Sequence, residues 1–123
     1  MQIPPHIDIV SRLFYVALVA LDGKKLGILL SIGPEHPSFR HGVALAQTAL
    51  GQGVDVYLYC LDEAVRGLDD PGLQRLRAEG LKLYACAYGA QRRGIALSDR
   101  ATFAGLTVVS DLVSATDRFI SFN

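Results

Sequence analysis

The stretch Leu81-Lys82-Leu83-Tyr84-Ala85-Cys86-Ala87-Tyr88-Gly89-Ala90-Gln91-Arg92-Arg93-Gly94-Ile95 decides how the chain is read. An apolar run ends in one cysteine, Cys86. Small residues follow, then two arginines and a glycine. In an α/β chain this pattern is a strand delivering a thiol to a strand-to-helix turn. Open parallel sheets place their chemistry there, outside the carboxyl ends of the strands. A thiol at that point lies near the first amides of a helix, which favour the thiolate. Arg92 and Arg93 add positive charge if the helix turns one of them toward the sulfur.

The segments on either side read as a scaffold for that turn. Lys25 to Ile32 is a first buried strand, and its continuous apolar character suits a sheet covered on both faces. The loop Gly33-Pro34-Glu35-His36-Pro37 follows. Ser38 is a good N-cap for a helix running to about Leu50. Val54 to Cys60 is a second strand, and Asp62-Glu63 starts a short helix. Asp69-Asp70-Pro71-Gly72 breaks it, with Pro71 placed to open the next helix. Leu81 to Cys86 is the third strand, and the helical turn after it closes at Gly94. Ser98 and Asp99 can cap a further short turn. Leu106 to Thr116 reads as a helix with Val109, Leu112 and Val113 inward, and Arg118 to Phe122 as a last strand. Strands alternating with helices predict a single three-layer α/β domain, flavodoxin-like in layering, with about four or five mainly parallel strands.

The first two dozen residues allow two readings. Pro4-Pro5 favours an extended lead. From His6 to Leu21, Ile7, Val10, Phe14, Ala17, Leu18 and Leu21 fall on one helical stripe that Gly23 would end. Alternatively 13–21 is a strand, and Asp22-Gly23 a hairpin turn. Helix is preferred, because a strand at 25–32 central in a parallel sheet has no free edge for a hairpin partner. The run Leu13–Leu21 has some look of a signal peptide, but Asp8 and Pro4-Pro5 are out of place in one, and the run is too short to span a bilayer. Residues 1–24 are therefore read as an extension, a helix packed on a domain of residues 25–123.

The chain has 123 residues, with 12 basic and 12 acidic side chains. That length suits one domain, and the balance implies no bulk attraction to nucleic acid or to an anionic membrane. Two cysteines and no CxxC exclude a disulfide scaffold and local zinc or thioredoxin-like spacing, and fit a reducing compartment.

The residues Cys86-Ala87-Tyr88-Gly89-Ala90-Gln91-Arg92-Arg93-Gly94-Ile95 resemble the cysteine motif of the DsrE/TusD (DsrE/DsrF-like) sulfur-relay proteins. There a strand-end cysteine is followed by small residues, then Arg-Arg-Gly and an aliphatic. Gly105-Leu106, a helix, and Ala115-Thr116-Asp117-Arg118-Phe119-Ile120-Ser121-Phe122 are similar to that family's C-terminal segment in the same order. Asp62-Glu63-Ala64-Val65 departs from the Asp-Gly-Val often found after the second strand. The resemblance covers roughly residues 25–123. It implies that Cys86 takes up sulfane sulfur as a persulfide and passes it on, a sulfurtransferase or sulfur-carrier role. It also implies donor and acceptor proteins as partners, a cytoplasmic setting, and homo- or hetero-oligomers, often trimers or hexamers.

The chemistry needs a reachable thiolate and neither a metal nor an organic cofactor. Ala85, Ala87 and Gly89 leave room beside the thiol for a partner's tail. The rival for Cys86 is a buried structural cysteine in a ligand-binding or structural subunit. Cys60, at another strand end, is either a resolving thiol or a small apolar filler. His36 and His41 flank the first loop, as a base near Cys86 or as exposed loop residues, and match no zinc spacing. The 33–37 loop stands where a flavodoxin-like phosphate loop would, but it lacks the Ser/Thr-rich or glycine-rich backbone and carries Glu35, which disfavours a flavin or nucleotide. Asp117-Arg118 reads as a capping or ion-pair feature. The tyrosines read as strand-face or interface residues, with Tyr88 placed to border the thiol.

Overall fold

The computed structural model describes residues 8–123. The extended lead expected at residues 1–5 and the helix start at His6 lie outside the described residues, as do the side chains of Phe14, Ala17 and Leu18. Five strands form one sheet in the order β4-β3-β2-β1-β5, every pair parallel. They are β1 (Lys25–Leu30), β2 (Asp55–Cys60), β3 (Lys82–Cys86), β4 (Thr102–Ala104) and β5 (Arg118–Phe122). The helices are α1 (Ile9–Leu21), α2 (Pro37–Gly51), α3 (Pro71–Ala78), α4 (Ala87–Arg92) and α5 (Thr107–Ala115), with a 3-10 turn at Asp62–Gly67.

The N-terminal segment is helical from Ile9. Asp8 caps it, accepting the Ser11 N–H at 2.8 Å and the Ser11 hydroxyl at 3.1 Å. Gly23 ends it at φ +76°, a conformation that costs glycine least. The hairpin alternative fails because β1 is paired on both edges, by β2 and by β5. Ile9, Val10 and Leu13 of α1 stay largely exposed.

Parity along the strands sorts the sheet into two unlike faces. Ile28, Leu30, Val56, Leu58, Cys60, Leu83 and Ala85 share one face and are all buried. Phe39, Val43, Ala46 and Ala49 of α2 and Leu73 and Leu76 of α3 complete this core. Gly42 lets α2 lie close to the sheet, since a Cβ there would run into Leu30. At about 25 cal/mol per Å2 of apolar surface, each of these fully buried aliphatics contributes roughly 1.5–3 kcal/mol. The other face is dressed unevenly. α5 covers β1 and β5, with Leu112 buried and Val108 and Val109 partly so. Tyr57 and Tyr84 remain half-buried, and the Lys82 ammonium sits 4.9 Å from the Tyr57 ring centre.

Several local expectations change. His36, not Ser38, caps α2: its Nδ1 accepts the Ser38 N–H at 3.1 Å. Pro37 forces this, since it lacks an N–H and its fixed φ suits the first helical position. Val113 is exposed rather than inward. The inward stripe of α5 is Val108, Val109 and Leu112, and Val113 lies roughly 40° round the helix beyond Val109, off the edge of that stripe. The sequence pattern does not predict the strand at 102–104, which is three residues long and starts on a polar residue. Pro71 does open α3, with Asp70 as its cap accepting the Leu73 N–H at 3.1 Å. Asp117 accepts the Lys25 N–H at 2.8 Å, a capping contact that ties β5 to β1.

Candidate functional site

β3 carries Cys86 out of the sheet and α4 begins at the next residue. Cys86 is the N-cap of that helix, and its Sγ accepts the Gly89 N–H at 3.3 Å. Serine, threonine or aspartate ordinarily fills such a position, using an oxygen to satisfy a first-turn amide. Here a sulfur does so. Gly94 at φ +67° closes α4, and the Ile95 N–H returns to the Ala90 carbonyl at 2.9 Å. The motif from Cys86 to Ile95 is thus one capped, closed helical turn built around a thiol.

Cys86 is only 4% exposed, and that exposure opens into a pocket of about 480 Å3. The exit of β2 supplies one wall, Leu61, Asp62 and Glu63. α4 supplies the other, Tyr88, Gly89, Arg92 and Arg93, and Leu106 borders it. Asp62 makes the first wall possible. It takes φ +51°, which aspartate tolerates better than most residues, and turns the chain sharply out of β2.

Arg93 does not turn its charge freely to the sulfur. Its Nε lies 2.7 Å from Glu63 Oε2, and its Nη1 donates to the Gly89 carbonyl at 3.1 Å. Glu63 also meets Arg66 at 3.4 Å, and Arg66 pairs with Glu35 at 2.7 Å. Arg93 first, then Arg66, holds the Glu63 carboxyl below its usual range, and Arg66 does the same for Glu35. This chain of charges links the Cys86 turn to the loop after β1. Arg92 lies over the exposed Tyr88 ring, 5.8 Å from its centre, at the pocket mouth.

Cys60 lies elsewhere. It pairs in register with Ala85, so Cys86, one residue on, points to the opposite face. Both thiols are free. Cys60 is fully buried in the core, and burial pushes its thiol up to about 12. His36 and His41 are exposed and do not line the pocket. Among the described residues no three His, Cys, Asp or Glu side chains gather as a metal set, and no helix is long and apolar enough to cross a membrane.

Two residues were not singled out in the sequence. Glu63 is the anchor of Arg93, and an acidic residue opening the turn after β2 was its only signal. Tyr59 is the other. It is fully buried on the Cys86 face, and its hydroxyl donates to the Ala104 carbonyl at 3.1 Å.

A wholly parallel α/β domain that presents one thiol as a helix cap at a strand end defines a class of cysteine-bearing sheet proteins. The model of the DsrE/DsrF-like family matches residues 24–122, and the chain belongs to that family. The structure is similar to the crystal structure of the YchN protein from E. coli, with a TM-score of 0.63 and 19% identity, over 80% of this chain and 99% of that one. At that identity the likeness concerns the fold. No curated protein matches the chain. α1 precedes the matched region.

Proposed function

We propose that this protein is a cytoplasmic sulfur-relay component that carries sulfane sulfur as a persulfide on Cys86 and hands it to a partner protein. The observation that supports this most is a thiol capping a helix at the floor of a pocket, with Gly89 N–H bonded to its sulfur. The family points the same way. In the first step the Cys86 thiolate attacks the outer sulfur of a donor persulfide. A sulfur–sulfur bond forms on Cys86 as the donor's breaks, and the donor cysteine leaves as a thiolate. In the second step an acceptor thiolate attacks the outer sulfur and Cys86 leaves as the thiolate. Each step is an exchange at the same oxidation level, so no external oxidant is consumed.

The pocket gives the outer sulfur a place to stand. Arg92 and Tyr88 at its mouth offer a cation and an aromatic ring to an approaching chain. Leu106, Val113 and Ile120, apolar and 40–58% exposed, support assembly with further copies or with partner chains, as a trimer or hexamer. Light scattering coupled to gel filtration reads that size, and a monomer at micromolar concentration refutes the assembly.

A second reading treats the chain as a non-catalytic, ligand-binding or structural subunit, which the low exposure of Cys86 favours. Intact mass after incubation with inorganic polysulfide separates the two. A gain of one sulfur that reductant removes, lost in Cys86→Ser and kept in Cys60→Ala, supports the carrier. No gain in the wild type, together with slow alkylation of Cys86 at neutral pH, supports the inert subunit.

A further inference from the structure

We propose that the Tyr59 hydroxyl is a second hydrogen-bond donor to the Cys86 sulfur, a rotor that serves the Ala104 carbonyl while Cys86 is a thiol and swings to Sγ once the sulfur is anionic. This deepens the carrier reading of Cys86 and rests on it.

The sheet register supplies the geometry. Tyr59 pairs with Tyr84, and Cys86, two residues further along β3, pairs with Ala104. Tyr59, Tyr84, Cys86 and Ala104 therefore share one face. Two residues along a strand span roughly 6.6 Å, a distance that a tyrosine leaning along its strand bridges. The hydroxyl accordingly reaches the level of Cys86, where it bonds the Ala104 carbonyl at 3.1 Å.

Burial makes this placement unusual. Tyr57 and Tyr84 on the same face stay half-buried, whereas Tyr59 is 0% exposed. Buried hydroxyls need partners, and a phenol has one proton and two acceptor sites to arrange. Burial first, and then the neighbouring Cys86 sulfur as charge and as hydrogen-bond partner, pushes the Tyr59 ionisation well up. The phenol therefore stays protonated and acts as a donor rather than a competing base. Ala104 is itself only partly buried, so its carbonyl can take water when the hydroxyl swings away.

The neighbouring cations leave this role open. Arg93 is held by Glu63 and the Gly89 carbonyl, and Arg92 lies over Tyr88. Stabilisation of the sulfur anion then falls to two neutral donors, the Gly89 N–H and the Tyr59 O–H. Such a donor favours the thiolate before sulfur arrives and again when Cys86 leaves as a thiolate on handover. It also makes the thiolate a somewhat weaker attacker, because nucleophilicity falls with thiol pKa.

The test is the pH profile of Cys86 alkylation by iodoacetamide in a Cys60→Ala background. Tyr59→Phe is expected to raise the midpoint by about 1 pH unit, the loss of one hydrogen bond to a charged group. Tyr84→Phe is expected to leave it unmoved. Sulfur uptake from polysulfide by Tyr59→Phe should slow several-fold near neutral pH and recover once both proteins are fully thiolate. A merely structural defect would lower it at every pH. An unchanged midpoint in folded Tyr59→Phe overturns the proposal.

Should Tyr59→Phe fail to fold, the near-ultraviolet difference spectrum between wild type and Cys86→Ser decides. A tyrosine band that shifts as Cys86 ionises supports the rotor, and a flat difference overturns it. A midpoint shift with no sulfur uptake in the wild type keeps the hydrogen bond and sinks the carrier. Uptake without a midpoint shift does the reverse.

Discussion

Cys60 and Cys86 end neighbouring strands within one residue of the same level, yet they meet opposite surroundings. Cys60 faces the core, and burial pushes its thiol up to about 12. Cys86 faces the pocket, takes the Gly89 N–H and caps α4. The difference is strand parity. One residue of register turns a packing atom into a candidate nucleophile, because successive side chains on a strand point to opposite faces. Proximity in a sheet therefore does not make two cysteines a redox pair, and these two are set apart by the sheet itself.

Removing each sulfur separately should separate the two thiols most strongly. Cys86→Ser should abolish sulfur uptake completely, as read by intact mass. It should fold at least as well as wild type, since serine is a better N-cap than cysteine. Cys60→Ala should show the converse, full uptake with stability lower by about 1 kcal/mol from the lost buried atom, measured by urea unfolding. Uptake lost in Cys60→Ala and retained in Cys86→Ser would reverse the assignment.

Alkylation tests the same contrast without mutation. At about pH 8, iodoacetamide should label Cys86 in the folded protein and reach Cys60 only on unfolding, since a core thiol is protonated and shielded. Peptide mapping of label added with and without denaturant reads this. Equal labelling of both in the native state would remove the distinction.

Asp70 is the oxygen counterpart of the Cys86 cap, holding the start of α3. Burial alone would raise its carboxyl, but the bond from Arg40 and the Leu73 N–H outweigh burial and hold it below the usual range. A depressed carboxyl stabilises the fold above the unfolded-state value and loses that contribution as pH falls through the folded one. Asp70→Asn keeps the cap but loses the charge facing Arg40, so it should be less stable by about 1 kcal/mol at neutral pH, with the gap closing below about pH 4. Sulfur uptake should not change.

The smallest effect concerns Glu63. Glu63→Gln frees Arg93 from its exposed pairing. The Cys86 alkylation midpoint should fall by about 0.3 pH unit at low salt, and the difference should fade at high ionic strength. A rise instead would show that Glu63 serves the thiol by holding Arg93 in place.

Much of this arrangement was legible in the chain. An apolar run stopping at Cys86, small residues and a closing Gly94 spell strand, turn and helix through local preferences alone. The parallel sheet followed from alternation of strand and helix. What depends on pairing between distant segments was not legible. The separation of Cys60 from Cys86 and the placement of Tyr59 beside Ala104 are facts of register, which no single segment encodes. The cap on α2 was legible in principle, since Pro37 at the first helical position points to His36. β4 escaped because three residues at a sheet edge, pinned by one neighbour, carry almost no periodic signal. Val113 escaped because the width of the surface that α5 covers is set by where β1 and β5 lie.

The pocket's lining, from Leu61 through Leu106, comes from one continuous portion of the chain, and Glu35 is tied to it from outside through Arg66 and Glu63. Mutations outside that portion can therefore change stability without touching the lining. Changes in the core face of α2 or in β5 would alter how many molecules are folded, while leaving the residues that line the pocket in place. A lineage could retune the one without re-optimising the other.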